Sequence, residues 1–352
     1  MKIAVIRKIT RPSTARCNLS MYVGFLLSEP HYVSCRRLGE VMNISHDSVN
    51  RFLNRESYDG EDLFNEVKPL INLNGGTLSV DDSVLDKPYA TYIAFIGYFW
   101  SGKHHASVQG INLVTMYYTD REGNHYPVNF RVVDKSENKT KNDYFLEMLA
   151  ELLSWGLNPA IVTGDSWYGC AKNLKAIRNY GLGFMFAIKS NRTLSVDKGV
   201  WQQVQTLDIP ENGKTVWLKE YGKVKLFRSQ LKDQLRHYVV YLSDEEKFAK
   251  FHRAEFNSEH AKHWQIEQYH RTIKQVCNIE NFQVRAKQAT RNHLFASIFA
   301  YVQLQRLTTI EAIKNCYQVR RDLFSNVVRS FISECVFTTN SLNPSFAPVV
   351  NA

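Results

Sequence analysis

The order of hydrophobic periodicities between Thr77 and Ile188 constrains the fold of this chain more than any other feature. Period-two alternation marks residues 78–82, 110–118 and 125–133, the last two joined by the turn Asp120-Arg121-Glu122-Gly123-Asn124. Residues 141–155 then place Tyr144, Phe145, Met148, Leu149 and Leu152 at helical spacing. The turn Gly156-Leu157-Asn158-Pro159 leads into an apolar run at 160–164, and a helix at 171–180 and a strand at 184–188 follow. The opening strands can join through tight turns, whereas strands added in parallel need helical crossovers.

That order predicts an α/β fold built on a mixed, ribonuclease-H-like sheet. Alternation returns at 215–218, 224–228 and 237–242, which predicts a β-rich insertion ahead of a helix at 258–278 and an apolar helix at 292–315. In the latter, Phe295, Phe299 and Val302 are core residues. Near the N-terminus, Ser34 can cap a helix ending at Met42, Asn43-Ile44 makes a turn, and Ser45 can cap a second helix that buries Val49, Phe52 and Leu53. This is a helix-turn-helix pattern. Its second helix would expose His46, Ser48, Asn50, Arg51 and Arg55, types that read base edges or hold phosphates. The resulting division is a helical DNA-binding region at 1–74, the first part of a ribonuclease-H-like core at 75–190, the insertion at 191–255, the final core helices at 256–336 and an Asn-, Ser- and Pro-rich tail at 337–352, expected to be poorly ordered.

A formal charge of +10 makes a polyanion the leading partner, because Lys and Arg gain affinity by displacing counterions from phosphates. Six cysteines without any C-x-x-C pair exclude a zinc module and a disulfide framework. The start, Met1 to Arg7, lacks an apolar leader region, and the apolar stretch at 294–302 is far short of the ~20 residues that span a bilayer. The expected location is the cytoplasm, with no membrane partner. Neither a glycine-rich phosphate loop nor a G-x-S-x-G elbow occurs, so nucleotide hydrolysis and serine catalysis lack support.

Acids close two of the apolar strands: Asp81-Asp82 the first and Asp165 the one at 160–164. A third, Glu267, lies on the late helix, where Trp264, Glu267, Arg271 and Lys274 form one stripe. Three acids suffice for two Mg²⁺ ions ~3.5–4 Å apart, and such a pair activates water and neutralises both oxygens of a phosphodiester displacement. Alternation puts Asp82 with Leu78 and Val80 and Asp81 on the other face; Asp82 is favoured as first ligand, with Asp81 the alternative. His104-His105 are structural or DNA-facing, because no third metal ligand lies nearby in sequence.

The segments Val80-Asp81-Asp82-Ser83-Val84-Leu85-Asp86-Lys87-Pro88, Thr163-Gly164-Asp165-Ser166-Trp167-Tyr168 and His263-Trp264-Gln265-Ile266-Glu267-Gln268-Tyr269-His270-Arg271-Thr272-Ile273-Lys274-Gln275 resemble, in order, the three acidic motifs of the DDE transposases of bacterial cut-and-paste insertion sequences. The resemblance implies a cytoplasmic bacterial enzyme that cuts and joins double-stranded DNA at element ends and target, acting as a homodimer. It implies Asp82, Asp165 and Glu267 as ligands of two Mg²⁺ ions, for which Mn²⁺ can substitute, and Lys274 as a grip on the DNA end. The family often carries Arg and Tyr where this chain has His263 and His260. It also implies a tryptophan of the insertion, Trp201 or Trp217, stacked on a flipped base; the alternative for both is a core position. The rival readings are a nuclease of this fold without strand transfer and a non-catalytic DNA-binding protein.

Overall fold

The computed structural model describes residues 15–197, 199–231 and 234–338. The start considered above for a leader, Met1 to Arg7, and the tail from residue 339 lie outside them.

Four helices open the described chain: α1 Leu19–Ser28, α2 Cys35–Met42, α3 His46–Arg55 and α4 Gly60–Val67. Each begins where a side-chain oxygen, of Asn18, Ser34, Ser45 or Asp59, accepts an otherwise unpaired amide of the first turn. Asn43 ends α2 in the left-handed region at φ 50°, and a Cβ on Gly39 would stand 2.8 Å from the Ile44 carbonyl oxygen. The tight α2–α3 turn therefore needs that glycine.

The chain then builds a mixed sheet. Its strands are β1 Thr77–Asp86, β2 Gly97–Ser101, β3 Ala106–Thr119 and β4 His125–Val132, followed by α5 Lys141–Ser154, β5 Ile161–Gly164, α6 Ala171–Asn179 and β6 Gly183–Ile188. β1 pairs antiparallel with β3, while β1, β5 and β6 run parallel through the crossovers α5 and α6. This is the ribonuclease-H-like arrangement. β2 and β4 share the outer edge of β3, pairing with residues 106–110 and 113–119.

Five further strands follow: β7 Thr193–Ser195, β8 Trp201–Gln203, β9 Lys214–Leu218, β10 Gly222–Leu231 and β11 Gln234–Tyr241. They extend the same sheet, because β11 pairs antiparallel with β6 and the order continues β10-β9-β7-β8. The helices α7 Glu245–Lys250, α8 Arg253–Gln275, α9 Lys287–Thr309 and α10 Gln318–Thr338 complete the described residues. A satellite core of Phe227, Tyr238, Phe251 and Phe256 ties these added strands to the start of α8, with Phe227 stacked on Phe256 at 4.9 Å.

α9 is buried along most of its length, Phe295, Phe299 and Val302 included. Its polar members hold the N-terminal helices: Asn292 donates to the Leu53 and Glu56 carbonyls, and His293 lies 2.9 Å from the Tyr22 hydroxyl. Tyr58 stacks on Phe295 at 4.5 Å, so the helical region and the sheet share one core. Among the described residues, no helix is long and apolar enough to cross a membrane.

Candidate active site

Register places the acids. Val80 on β1 pairs with Gly164 on β5, so Asp81 and Asp165 come next, side by side where β5 ends; β1 itself runs on to Asp86, so Asp81-Asp82 lie within that strand and do not close it as expected. Strands so paired lie ~4.8 Å apart, and paired positions share a face. Gly164 permits this closeness: a Cβ there would meet Phe186 at 2.8 Å and the Val80 side chain at 2.9 Å. Asp165 then accepts the Trp167 amide at 2.9 Å and the Tyr168 amide at 3.4 Å, which turns the chain away from the strand.

Alternate residues of β1 serve different neighbours. Thr77 donates to Glu259 of α8, and two strand steps beyond Ser79 the Asp81 carboxylate lies 3.4 Å from Nδ1 of His270, also on α8. Glu267 sits one turn before His270 on that helix. Asp82 points the other way. Its carboxylate accepts from Lys141 Nζ at 2.6 Å, Asn112 Nδ2 at 2.6 Å and the Tyr168 hydroxyl at 3.1 Å. The alternation inferred from sequence holds, but the face shared with α8 and Glu267 is that of Asp81, not the favoured Asp82.

Asp81, Asp165 and Glu267 line two adjoining recesses, of ≈ 500 Å³ and ≈ 710 Å³. Trp264, His260, His263 and Tyr238 line the first; Lys274, Lys141, Trp167, Tyr98 and Trp100 line the second, together with Asp82. Lys274 donates to the Val84 carbonyl at 2.6 Å and pairs with Glu280 at 3.1 Å. Arg271 is exposed on the next turn of α8, outside both linings, though its charge reaches Glu267. Sequence patterning did not single out Tyr98, Trp100 or Lys141. The first two belong to a short strand whose exposed aromatics give no amphipathic signal, and the third looks like an ordinary first-turn helix lysine.

The electrostatics are those of crowded anions. Loss of water in the recess, then repulsion from Asp81, pushes the Asp165 carboxyl up to about 6. The same two causes raise Glu267. Burial opposes ionisation of Asp81 as well, but the hydrogen bond and charge of His270 outweigh it and hold its pKa below the ordinary value. Burial pushes the His263 imidazole down to about 4. Three hard oxygen donors that repel one another suit a divalent cation by donor chemistry. Among the described residues, no group of three His, Cys, Asp or Glu side chains converges tightly enough to hold an ion as placed.

Residues 75–303, well over half of the chain, match the family model described as the transposase DDE domain. The chain belongs to that family. No curated protein matches this DDE transposase significantly in sequence. Among solved structures, it is similar to the Drosophila P element transposase strand transfer complex, at 11% identity and TM-score 0.24, over 48% of this chain and 37% of that one. It is also similar to endonuclease V from Bacillus subtilis (9%, TM-score 0.26, 73% and 96%) and to the NurA nuclease from Sulfolobus solfataricus (10%, TM-score 0.24, 85% and 96%). The chain thus spans little more than a third of the P element chain's length.

The helix-turn-helix residues are only partly displayed. Arg51, Arg55 and His46 are exposed on α3 and Asn50 is half-buried. Ser48 is a correction: it is buried, and its hydroxyl accepts the backbone amides of Arg16 and Cys17, which cross over the helix. The core position considered for Trp201 and Trp217 is a correction too. They are exposed, 47% and 37%, and line neither recess. His104 and His105 lie in the turn between β2 and β3 rather than on a strand, with His104 Nε2 3.0 Å from Asp86.

Proposed function

We propose that this transposase cleaves and joins double-stranded DNA at the ends of a bacterial insertion sequence, with Asp81, Asp165 and Glu267 as its catalytic carboxylates. The observation that carries the reading is the meeting of these acids, from β1, the end of β5 and α8, in one groove that carries cations and exposed aromatic rings. Asp81 replaces Asp82 in this set because Asp81 faces Glu267 and Asp165, while three donors already occupy Asp82.

Asp81, Asp165 and Glu267 would hold two Mg²⁺ ions, or Mn²⁺ in their place, which supply Lewis-acid activation of water and charge neutralisation at the phosphodiester. The chain's own groups do the rest. Asp82 anchors Lys141, which lies over the Trp167 ring at 4.7 Å and faces the groove. Lys274 and Arg271 offer positive charge beside Glu267, and the exposed Trp264 offers a flat face to a base. α3 brings Asn50, Arg51 and Arg55 to a duplex away from the cut. Joining two ends in one reaction calls for a homodimer, acting in the cytoplasm where the DNA is. The residue division 1–74, 75–190, 191–255 and 256–336 follows these roles.

The test is a supercoiled plasmid bearing two copies of the flanking element ends, incubated with Mg²⁺ or Mn²⁺. Cleavage at those ends with 3′-end joining is the expected result. Hydrolysis without joining would indicate a plain nuclease, and binding with neither would indicate a DNA-binding protein that has lost catalysis.

A further inference from the structure

Among the described residues, Arg236, on β11, is the one cation that lines both recesses flanking the carboxylates. Its place follows from register. β11 runs antiparallel to β6 with His237 opposite Ile188, the last residue of β6, so Arg236 stands just past the carboxyl edge of the parallel strands, where Asp81 and Asp165 emerge. The other groove cations are engaged: Lys103 with Asp86 at 3.2 Å, Lys141 with Asp82 at 2.6 Å and Lys274 with Glu280 at 3.1 Å. Among the described residues, Arg236 makes no close ion pair, although its charge reaches the Glu267 carboxyl. It is exposed and its charge acts on the Tyr238 hydroxyl, which lies 3.0 Å from His260 Nε2. On the facing side of the first recess α8 presents His260 and His263, whose burial keeps both imidazoles uncharged near neutral pH, so α8 offers no cation there.

We propose that Arg236 binds a backbone phosphate adjacent to the scissile one, through the two parallel N–H···O bonds a guanidinium makes with phosphate oxygens. The proposal rests on the reading of the groove as a DNA site. It gives the added strands β7 to β11 a direct part in holding substrate: they extend the sheet far enough to place a fork-shaped cation at its carboxyl edge. A strand running along the groove then meets Lys274 in one recess and Arg236 at the junction of both.

The test compares wild type, Arg236→Ala, Arg236→Lys and Lys219→Ala, the last removing an exposed cation at the end of β9 that lines neither recess. Binding of a short forked DNA duplex is measured in Ca²⁺ over a salt series, and nicking of supercoiled plasmid in Mn²⁺. Arg236→Ala is expected to bind about tenfold more weakly, with a log-log salt slope shallower by about one, and to melt like wild type. Arg236→Lys keeps the slope but not the full affinity, and guards against any loss of fold in the alanine variant; Lys219→Ala matches wild type. Wild-type affinity and slope in Arg236→Ala would overturn the proposal while leaving the active-site reading intact. Failure of the wild type itself to bind or nick would overturn both.

Discussion

Asp81 and Asp82 are adjacent in sequence and sit on opposite faces of β1. One lies against His270 of α8, the other is bound by Lys141 of α5. A pair of acids in one motif thereby divides into a carboxylate that shares a groove with Asp165 and Glu267 and one that braces the sheet's other layer. The sheet's two helical layers, α8 on one side and α5 on the other, are coupled through a single peptide bond.

Substituting the two acids separates these roles. Asp81→Asn is expected to lower plasmid nicking by ~100-fold or more, since losing an inner ligand costs at least what losing its supporting partner does. Asp82→Asn keeps most of the activity but leaves the half-buried Lys141 without its anion, at about 1–3 kcal/mol of stability. Nicking rates and thermal melting measured side by side decide; equal activity losses in both variants would contradict the division.

Gly164 offers a test of the scaffold alone. Gly164→Ala puts a methyl group into the Val80 and Phe186 side chains and within 3.0 Å of the Val80 carbonyl oxygen, and no flexible side-chain end can simply move aside. The strands must separate, at about 1–3 kcal/mol for overpacking. Because Asp165 is the next residue, nicking falls with stability, and the loss persists at temperatures where the variant remains folded. A fully active, normally stable variant would mean that β1 and β5 are less closely apposed than described.

What the sequence disclosed follows local rules. Ser34 and Ser45 cap α2 and α3 at the positions their hydroxyls suggested. The parallel strands β5 and β6 and the alternating β10 and β11 were legible from apolar pattern. Facts set by tertiary packing were not. Which face of β1 receives α8 cannot be read from β1, so alternation alone pointed to Asp82. Ser48 has the helical phase of an exposed residue and is covered by backbone arriving from Arg16 and Cys17. Trp201 and Trp217 have core-like bulk, yet they flank Ser195 in the outermost strands of the sheet, where no layer covers them. α1 is too uniformly apolar to show a face, and β2 exposes Tyr98 and Trp100 where a strand signal needs burial.

The helix-turn-helix reading makes a separable prediction. Arg51 is exposed on α3, distant in sequence from the carboxylates, so Arg51→Ala is expected to weaken duplex binding and reduce the salt slope by about one. Nicking at saturating DNA stays at the wild-type rate. Fluorescence anisotropy over a salt series measures the first effect and plasmid nicking the second; an unchanged slope would remove α3 from the DNA contact.

The anion cluster predicts how stability and cation binding depend on pH. Asp165 titrates at about 6 when folded, above the unfolded carboxylate value near 3.9, so between about pH 4 and 6 the folded state holds a proton that the unfolded chain has released. Its contribution to stability therefore declines as pH rises through that window, and Asp165→Asn is expected to melt higher than wild type at pH 7 but not at pH 4. Asp81 acts with the opposite sign. Its lowered pKa contributes stability that is present above the unfolded value and lost as pH falls through the folded one. A divalent cation must displace the Asp165 proton to bind, so the rise in melting temperature produced by Mn²⁺ grows from pH 5 to about pH 7 and is much smaller in Asp165→Asn. Scanning calorimetry with and without Mn²⁺ across that range measures both effects; an Mn²⁺ shift independent of pH, or undiminished in Asp165→Asn, would place the cation away from this carboxylate.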